Sequence, residues 1–309
     1  MIKPIIHRAA AALGMLLLAL PTHAASPLTI GYQPTIDLIP AFIAAQQGMF
    51  TAHGIEATLV GGSGAIQISG LVARSLDITN PTVPQLLQAI DSGLDLVIIG
   101  GANMMSPQAG EFAAVVRTGE SLTQPKDFVG RKVGVNTVGS FLHVLFVQWL
   151  TNHHVDPAAV TFIEIPFPQM GDVLRQGTVD AVVSVEPFVA RMVAAGTGIA
   201  TNGFVRDFPA GMPVAVYAAE RSWAEQHRGE IEGFRAAMRE AEKSFAANPE
   251  QGRADTLKYL KMPPPALAAM KIPPISIDLA PGGISEWITI MRGQNLVTGK
   301  LDASTILWK

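Results

Sequence analysis

The 309-residue chain contains no cysteine, so an oxidising compartment neither helps nor harms its fold. It also lacks an excess of positive charge: 22 Lys and Arg stand against 25 Asp and Glu, a formal net charge of −3. That balance argues against nucleic acid as a partner and against a basic face for a membrane surface. There is one long apolar run, at the N-terminus, and no second, so the remainder is expected to be soluble.

The N-terminal run has a recognisable pattern. Lys3 and Arg8 precede apolar residues 9–20, followed by Pro21 and the small pair Thr22 and Ala24. This predicts a secretory signal peptide cut after Ala24. The run falls short of the roughly 20 apolar residues a membrane-spanning helix needs. With no cysteine near the cut, a lipoprotein anchor has no attachment atom. Losing Lys3 and Arg8 takes the formal net charge from −3 to −5. The mature chain, 25–309, has room for one large domain or two lobes.

From Leu28 onward, short strand-like runs alternate with helical stretches. Strands are expected at 28–35, 54–62, 76–79 and 95–101, with helices at 38–53, 64–75 and 81–90 between them. That alternation implies a parallel sheet covered on both faces. The order recurs with strands at 131–137, 159–165 and 179–185 and helices at 139–153, 168–177 and 186–196. Leu71 to Asp77 and Leu174 to Asp180 have the same spacing, each pair closing a helix and opening a strand. Residues 111–130 and 201–220 read as linkers. From Arg221 the chain is expected to be helical, with a long amphipathic helix over 223–248 and a last one over 284–299, packed back on lobe one. The expected architecture is α/β, two doubly wound lobes with a hinge and a central cleft. Residues 25–115 and 206–309 form lobe one and 116–205 lobe two, with closure about 111–118 and 201–213.

In open parallel sheets, ligands sit outside the carboxyl ends of the strands. Within "VDAVVSVEPF" (179–188), Glu186 follows an apolar strand at such an end. With Pro187 as first helical residue, Glu186 can cap the helix, face the cleft, or do both. Other strand ends offer Gln33 and Thr35, Ser63 in a glycine-rich turn, and Asn80. Thr137, Ser140 and Phe141 form a small-residue turn before a helix, whose N–H groups and hydroxyls suit an anionic head group. For each of these the plain alternative is turn or cap chemistry. Arg117 is read as a surface residue that can also reach the cleft.

The stretches "LTIGYQPT", "AFIAAQQGMFTAHGIEATLV", "DFVGRKVGVNTVGSFLH" and "IPFPQMGDVLRQGTVDAVVSVEPF", in this order and spacing, cover most of residues 28–200. In them the chain resembles the periplasmic substrate-binding proteins of ABC importers, in the group of aliphatic-sulfonate, taurine, nitrate and thiamine-pyrimidine binders. The resemblance implies a type II, two-lobed Venus-flytrap fold in the periplasm. It also implies a solute held in the cleft and delivered to an ABC permease in the inner membrane. It does not fix the solute: a small organic anion, sulfonate or carboxylate, is expected first. A pyrimidine-like heteroaromatic comes second, because Phe141, Phe167 and Phe188 lie near the same strand ends.

Other classes fit less well. Pyrimidine synthases on this fold are implied to carry a cysteine-rich motif, which this chain lacks. "GGSGA" (61–65) approximates a nucleophile elbow around Ser63, but no downstream acid and His have a recognisable setting. His153 and His154 are adjacent, so their side chains diverge on a helix, and a C-terminal helix position explains them better than a metal. LysR-type regulators share the binding fold but begin with a helix-turn-helix. The four tryptophans are expected to pack. The chain is therefore read as a binding protein, monomeric, with no enzyme activity, cofactor or metal.

Overall fold

The computed structural model describes residues 25–309 apart from 63, 64, 107–109, 202, 261, 262, 270 and 271, so the leader and Ser63 lie outside the described residues. Ten strands form two five-stranded sheets. The first contains β1 (Ser26–Tyr32), β2 (Ile55–Gly61), β3 (Ile78–Thr79), β4 (Leu96–Gly101) and β10 (Val216–Glu220), in the order β2-β1-β3-β10-β4. The second contains β5 (Phe112–Arg117), β6 (Lys132–Val135), β7 (Thr161–Glu164), β8 (Ala181–Val185) and β9 (Gly198–Thr201), in the order β7-β6-β8-β5-β9.

Both sheets are mixed, not all parallel. β10 runs antiparallel to β3 and β4, and β5 antiparallel to β8 and β9. The segments expected as linkers thus hold two sheet strands. Each is an apolar run, "FAAVVR" and "VYAAE", almost wholly buried because neighbours flank it on both sides. All six residues of β5 belong to the second sheet. The crossing lies in the flanking segments: Ala102 N–H donates to Ala215 O, Val214 N–H to Asn103 O, and Met105 N–H to Met212 O. These bonds make a short antiparallel ribbon between the lobes.

Alternation along the strands explains the layers. Leu28, Ile30 and Tyr32 of β1 face a core capped by the helices Ile39–Gln46 and Arg228–Ala247. In β8, Val182 faces the helices Phe167–Arg175 and Phe188–Ala194, while Ala181 and Val183 face the opposite side. That opposite side belongs to an apolar core running through both lobes. It includes Leu86 and Leu87 of the first, Phe112 and Phe146 of the second, and Trp287 of the helix Pro281–Gly293. This helix therefore bridges the lobes instead of lying on lobe one alone. Trp287 is fully buried, and its Nε1–H donates to Pro213 O at 2.7 Å.

The repeated Leu-to-Asp spacing has a structural cause. Asp77 Oδ2 accepts the Thr29 N–H of β1 at 2.7 Å, and Asp180 Oδ2 accepts the Lys132 N–H of β6 at 2.9 Å. Asp77 N–H returns a bond to Thr29 O, and Asp180 N–H to Lys132 O. Each Asp thus locks the strand it opens to its neighbour, while Leu71 and Leu174 are buried beneath.

Two helices are shorter than expected. The stretch 38–53 breaks at Gly48, whose φ of 72° is left-handed, and 223–248 breaks at His227.

Candidate functional site

β5 begins at the carboxyl end of β8, with Phe112 opposite Val185, and β10 begins at the carboxyl end of β4, with Val216 opposite Gly101. The crossing ribbon therefore joins the carboxyl edges of the two sheets, and the expected gap lies on that side. One direct contact crosses between the lobes on that side: Gln88 Nε2, on the helix Val83–Asp91, donates to Gly139 O of the turn after β6, at 2.8 Å.

In lobe one, Gln33 and Thr35 follow β1 and are half-buried, with Thr35 N–H donating to Gln33 O. Asn80 ends β3 and is 3% exposed. Its N–H donates to Gln67 Oε1 and its Nδ2 to Val216 O, both at 3.2 Å. Gln67 is fully buried, with its Nε2 unpaired, beside Thr79, whose Oγ1 is also unpaired. Both stand over Gly31, where an added Cβ would lie 3.2 Å from Thr79 and 3.3 Å from Gln67. Sequence reasoning missed Gln67; the signal was an amide inside the mostly apolar helix Ala65–Val72.

In lobe two, the turn after β6 is largely satisfied by its own chain. Val138 N–H donates to Glu164 Oε1 at 2.7 Å, Gly139 N–H to His143 Nδ1 at 3.0 Å, and Ser140 N–H to Thr137 O. Burial pulls the His143 pKa down to about 4 against the opposing charge of Glu164, so the ring is neutral and free to accept. Thr137 is exposed and Ser140 half-buried. The Phe141 ring is 4% exposed and packs on Phe112 and Trp287, at 5.0 and 5.6 Å between centroids, in the bridging core. The donors left for a ligand are the first amides of the helix Phe141–Asn152, which have no intrahelical acceptor. Glu164 and His143 were not among the expected site residues.

Glu186 directly follows β8 and is half-buried. The following helix starts at Phe188, with Pro187 at the cap position, so Glu186 lies one residue earlier than expected. Its Oε2 still accepts a backbone bond, from Ala190 N–H at 3.1 Å. Burial raises its pKa and that bond opposes the rise. The rings of Phe167 and Phe188 stack 5.6 Å apart, with the Arg191 guanidinium 5.5 Å from the Phe188 ring. Arg117 points away from the gap. It sits at the opposite end of β5, with Glu120 and Asp180. None of the segments 33–38, 61–66, 80–84, 136–141, 165–168 or 186–189 contains Lys or Arg.

The model of the NMT1-like family matches residues 22–260. The chain belongs to the NMT1-like family. The periplasmic aliphatic sulphonate binding protein SsuA from Escherichia coli shares the fold, with a TM-score of 0.78 at 21% identity, over 92% of this chain and 97% of that one. The periplasmic nitrate-binding protein NrtA from Synechocystis PCC 6803 superposes with a TM-score of 0.73 at 14% identity, over 91% of this chain and 85% of that one. In sequence, the nitrate import ATP-binding protein NrtC of Synechocystis is 24% identical over 262 residues, 76% of this chain. The match spans only 37% of that relative's length. The fold of this NMT1-like chain is thus the two-lobed periplasmic-binding fold. Among the described residues, no helix is long and apolar enough to cross a membrane.

Proposed function

We propose that this chain is the solute-binding component of an ABC import system. It takes a small organic anion, of the sulfonate or carboxylate class, into the gap between the lobes and delivers it to a permease in the inner membrane. The observation that carries this reading is the crossing ribbon, which joins the carboxyl edges of both sheets. The sulfonate and nitrate ligands in the names of SsuA and NrtA support the anion class. With no Lys or Arg in the strand-end turns, the head group is held by amides and hydroxyls. Phe141 and Leu142 N–H and Ser140 form one side, and Gln33, Thr35, Ser63 and Asn80 the other. Phe141 contributes its backbone, since its ring is core. Thr137 and Glu186 line the rim. The protein works without enzyme activity, as a monomer, in the periplasm after loss of residues 1–24.

A second reading, a pyrimidine-like heteroaromatic solute, draws on the stacked Phe167 and Phe188 and on the raised-pKa carboxyl of Glu186. A thermal-shift screen of residues 25–309 against alkanesulfonates, taurine, nitrate, aromatic carboxylates and pyrimidines separates the two. A ligand at 100 times its Kd adds about 2.7 kcal/mol, a rise of roughly 4–5 °C for a chain of this size. A rise with the anions alone supports the first reading, and with pyrimidines alone the second. No rise with any of them, before and after denaturation and refolding, overturns both.

A further inference from the structure

Residues 101–104 of the crossing ribbon have a second backbone partner besides 212–215. Gly101 N–H donates to Ile277 O at 2.8 Å, Ser276 N–H to Ala102 O at 2.9 Å, and Met104 N–H to Pro274 O at 2.8 Å. Asn103 and Ile275 form an antiparallel bridge. Residues 274–277 therefore lie along the ribbon as a third extended run. Two glycines make the room. A Cβ on Gly100 would stand 2.4 Å from Ile277 Cδ1, and one on Gly101 would stand 2.5 Å from the Ser276 carbonyl oxygen.

The run is also held from outside. Ile277 N–H donates to Glu242 Oε1 at 2.5 Å, from the helix Arg228–Ala247. The next residue, Asp278, is gripped from the same helix by Arg239, whose Nη2 and Nε lie 2.7 and 3.1 Å from Asp278 Oδ1. Glu242 thus shares one bond with the strap and stands between two charges, Asp278 on the strap and Arg239 on its own helix.

We propose that residues 274–277 are a hinge strap, and that a proton gained or lost by Glu242 sets how firmly the strap holds the hinge. The inference concerns the regulation of lobe opening, and only that consequence rests on the solute-binding reading. Burial pushes the Glu242 pKa up to about 7; Asp278 adds to the rise, while the Ile277 N–H and Arg239 oppose it. A detached strap leaves the carboxyl in water, near its ordinary value of 4.5. The attached state therefore binds the proton more tightly. By linkage, attachment is firmest below about pH 4.5, weakens by up to about tenfold per pH unit toward 7, and levels off above. The strap loosens as pH rises, and the ribbon it braces becomes easier to bend.

Hydrogen–deuterium exchange of the solute-free mature protein tests this. The readout is the protection of the amides of Gly101, Met104, Ser276 and Ile277 at pH 5 and pH 8, each corrected for the unprotected peptide rate. Protection is expected to fall at least about tenfold in the wild type and to stay level in Glu242→Gln, whose side-chain oxygen still accepts the Ile277 N–H. Level protection in the wild type, or an equal fall in the variant, overturns the proposal. A carbon-13 titration of Glu242 in the wild type needs no variant: a midpoint near 7 supports it and one below 5 overturns it. Neither experiment uses a solute. A blank ligand screen therefore leaves the strap standing, and a failed strap leaves solute binding untouched.

Discussion

Replacing Trp287 with phenylalanine separates one hydrogen bond from the packing around it. The indole is fully buried, and its N–H donates to Pro213 O at the end of the crossing ribbon. Gly283 seats that proline on the same helix, where an added Cβ would lie 2.4 Å from Pro213 Cδ. In Trp287→Phe the Pro213 carbonyl loses its partner without gaining water, which costs about 1–3 kcal/mol. The smaller ring leaves a cavity that adds on the order of 1 kcal/mol. The expected loss is about 2–4 kcal/mol. In Trp287→Ala the emptied site costs about 3–5 kcal/mol on top of the orphaned carbonyl. Because one apolar core runs through both lobes, the loss is read from a single urea transition as a lower midpoint with an unchanged slope. In Trp287→Phe, thermal unfolding should fall by roughly 3–7 °C. A loss below about 0.5 kcal/mol in Trp287→Phe would refute the reasoning, since it would mean that Pro213 finds another donor and the helix is no strut.

Three further outcomes follow from single side chains. The folded pKa of His143 lies below its unfolded value of 6.5, so its contribution is complete above pH 6.5 and is lost as pH falls toward about 4. His143→Asn, which keeps an acceptor for Gly139 N–H but does not titrate, should flatten thermal stability across that window, and an unchanged slope would exclude His143 as its source. The Glu186 pKa is raised, so the stability it carries is present in acid and is lost as pH rises through the folded value. Glu186→Gln should therefore gain melting temperature relative to wild type on the alkaline side of that titration and not on the acid side; the reverse pattern would show a carboxylate stabilised by its surroundings. Asp77→Ala and Asp180→Ala each strip the acceptor from a strand amide, half-buried at Thr29 and exposed at Lys132, and each should cost about 0.5–1.5 kcal/mol by urea unfolding. A negligible cost at either site would break the equivalence of the two lobes.

The parallel strands and their helices were legible because each is a short apolar run followed by a helical period. The Leu-to-Asp echo was legible for a reason that sequence alone does not reveal, namely the backbone bonds made by Asp77 and Asp180. The antiparallel strands were hidden. "FAAVVR" follows another apolar strand without an intervening helix, and "VYAAE" sits behind a Gly- and Pro-rich stretch, so both looked like connections. Their partners come from distant parts of the chain, which no local pattern records. At the site, strand ends were placed to within three residues along the chain, but hydrogen-bond partners were not. Whether the turn 137–140 offers its amides to a ligand depends on Glu164, 26 residues from Val138, and on the tautomer of His143. Phe141 shows the same limit: its place before a helix suggests a ligand contact, whereas its ring direction, set by Phe112 and Trp287, is a matter of packing.

The position of β10 bears on the order in which the molecule can assemble. In the first sheet it lies between β3 and β4, so β4 has no strand neighbour until residues 216–220 arrive. All five strands of the second sheet, by contrast, come from one continuous stretch, 112–201. As the chain emerges from its N-terminus, the later half-molecule can close its sheet while the earlier one still waits with a vacancy in its middle. Until that vacancy is filled, the exposed edge of β4, "LVIIGG", is the segment most open to pairing with a neighbouring chain.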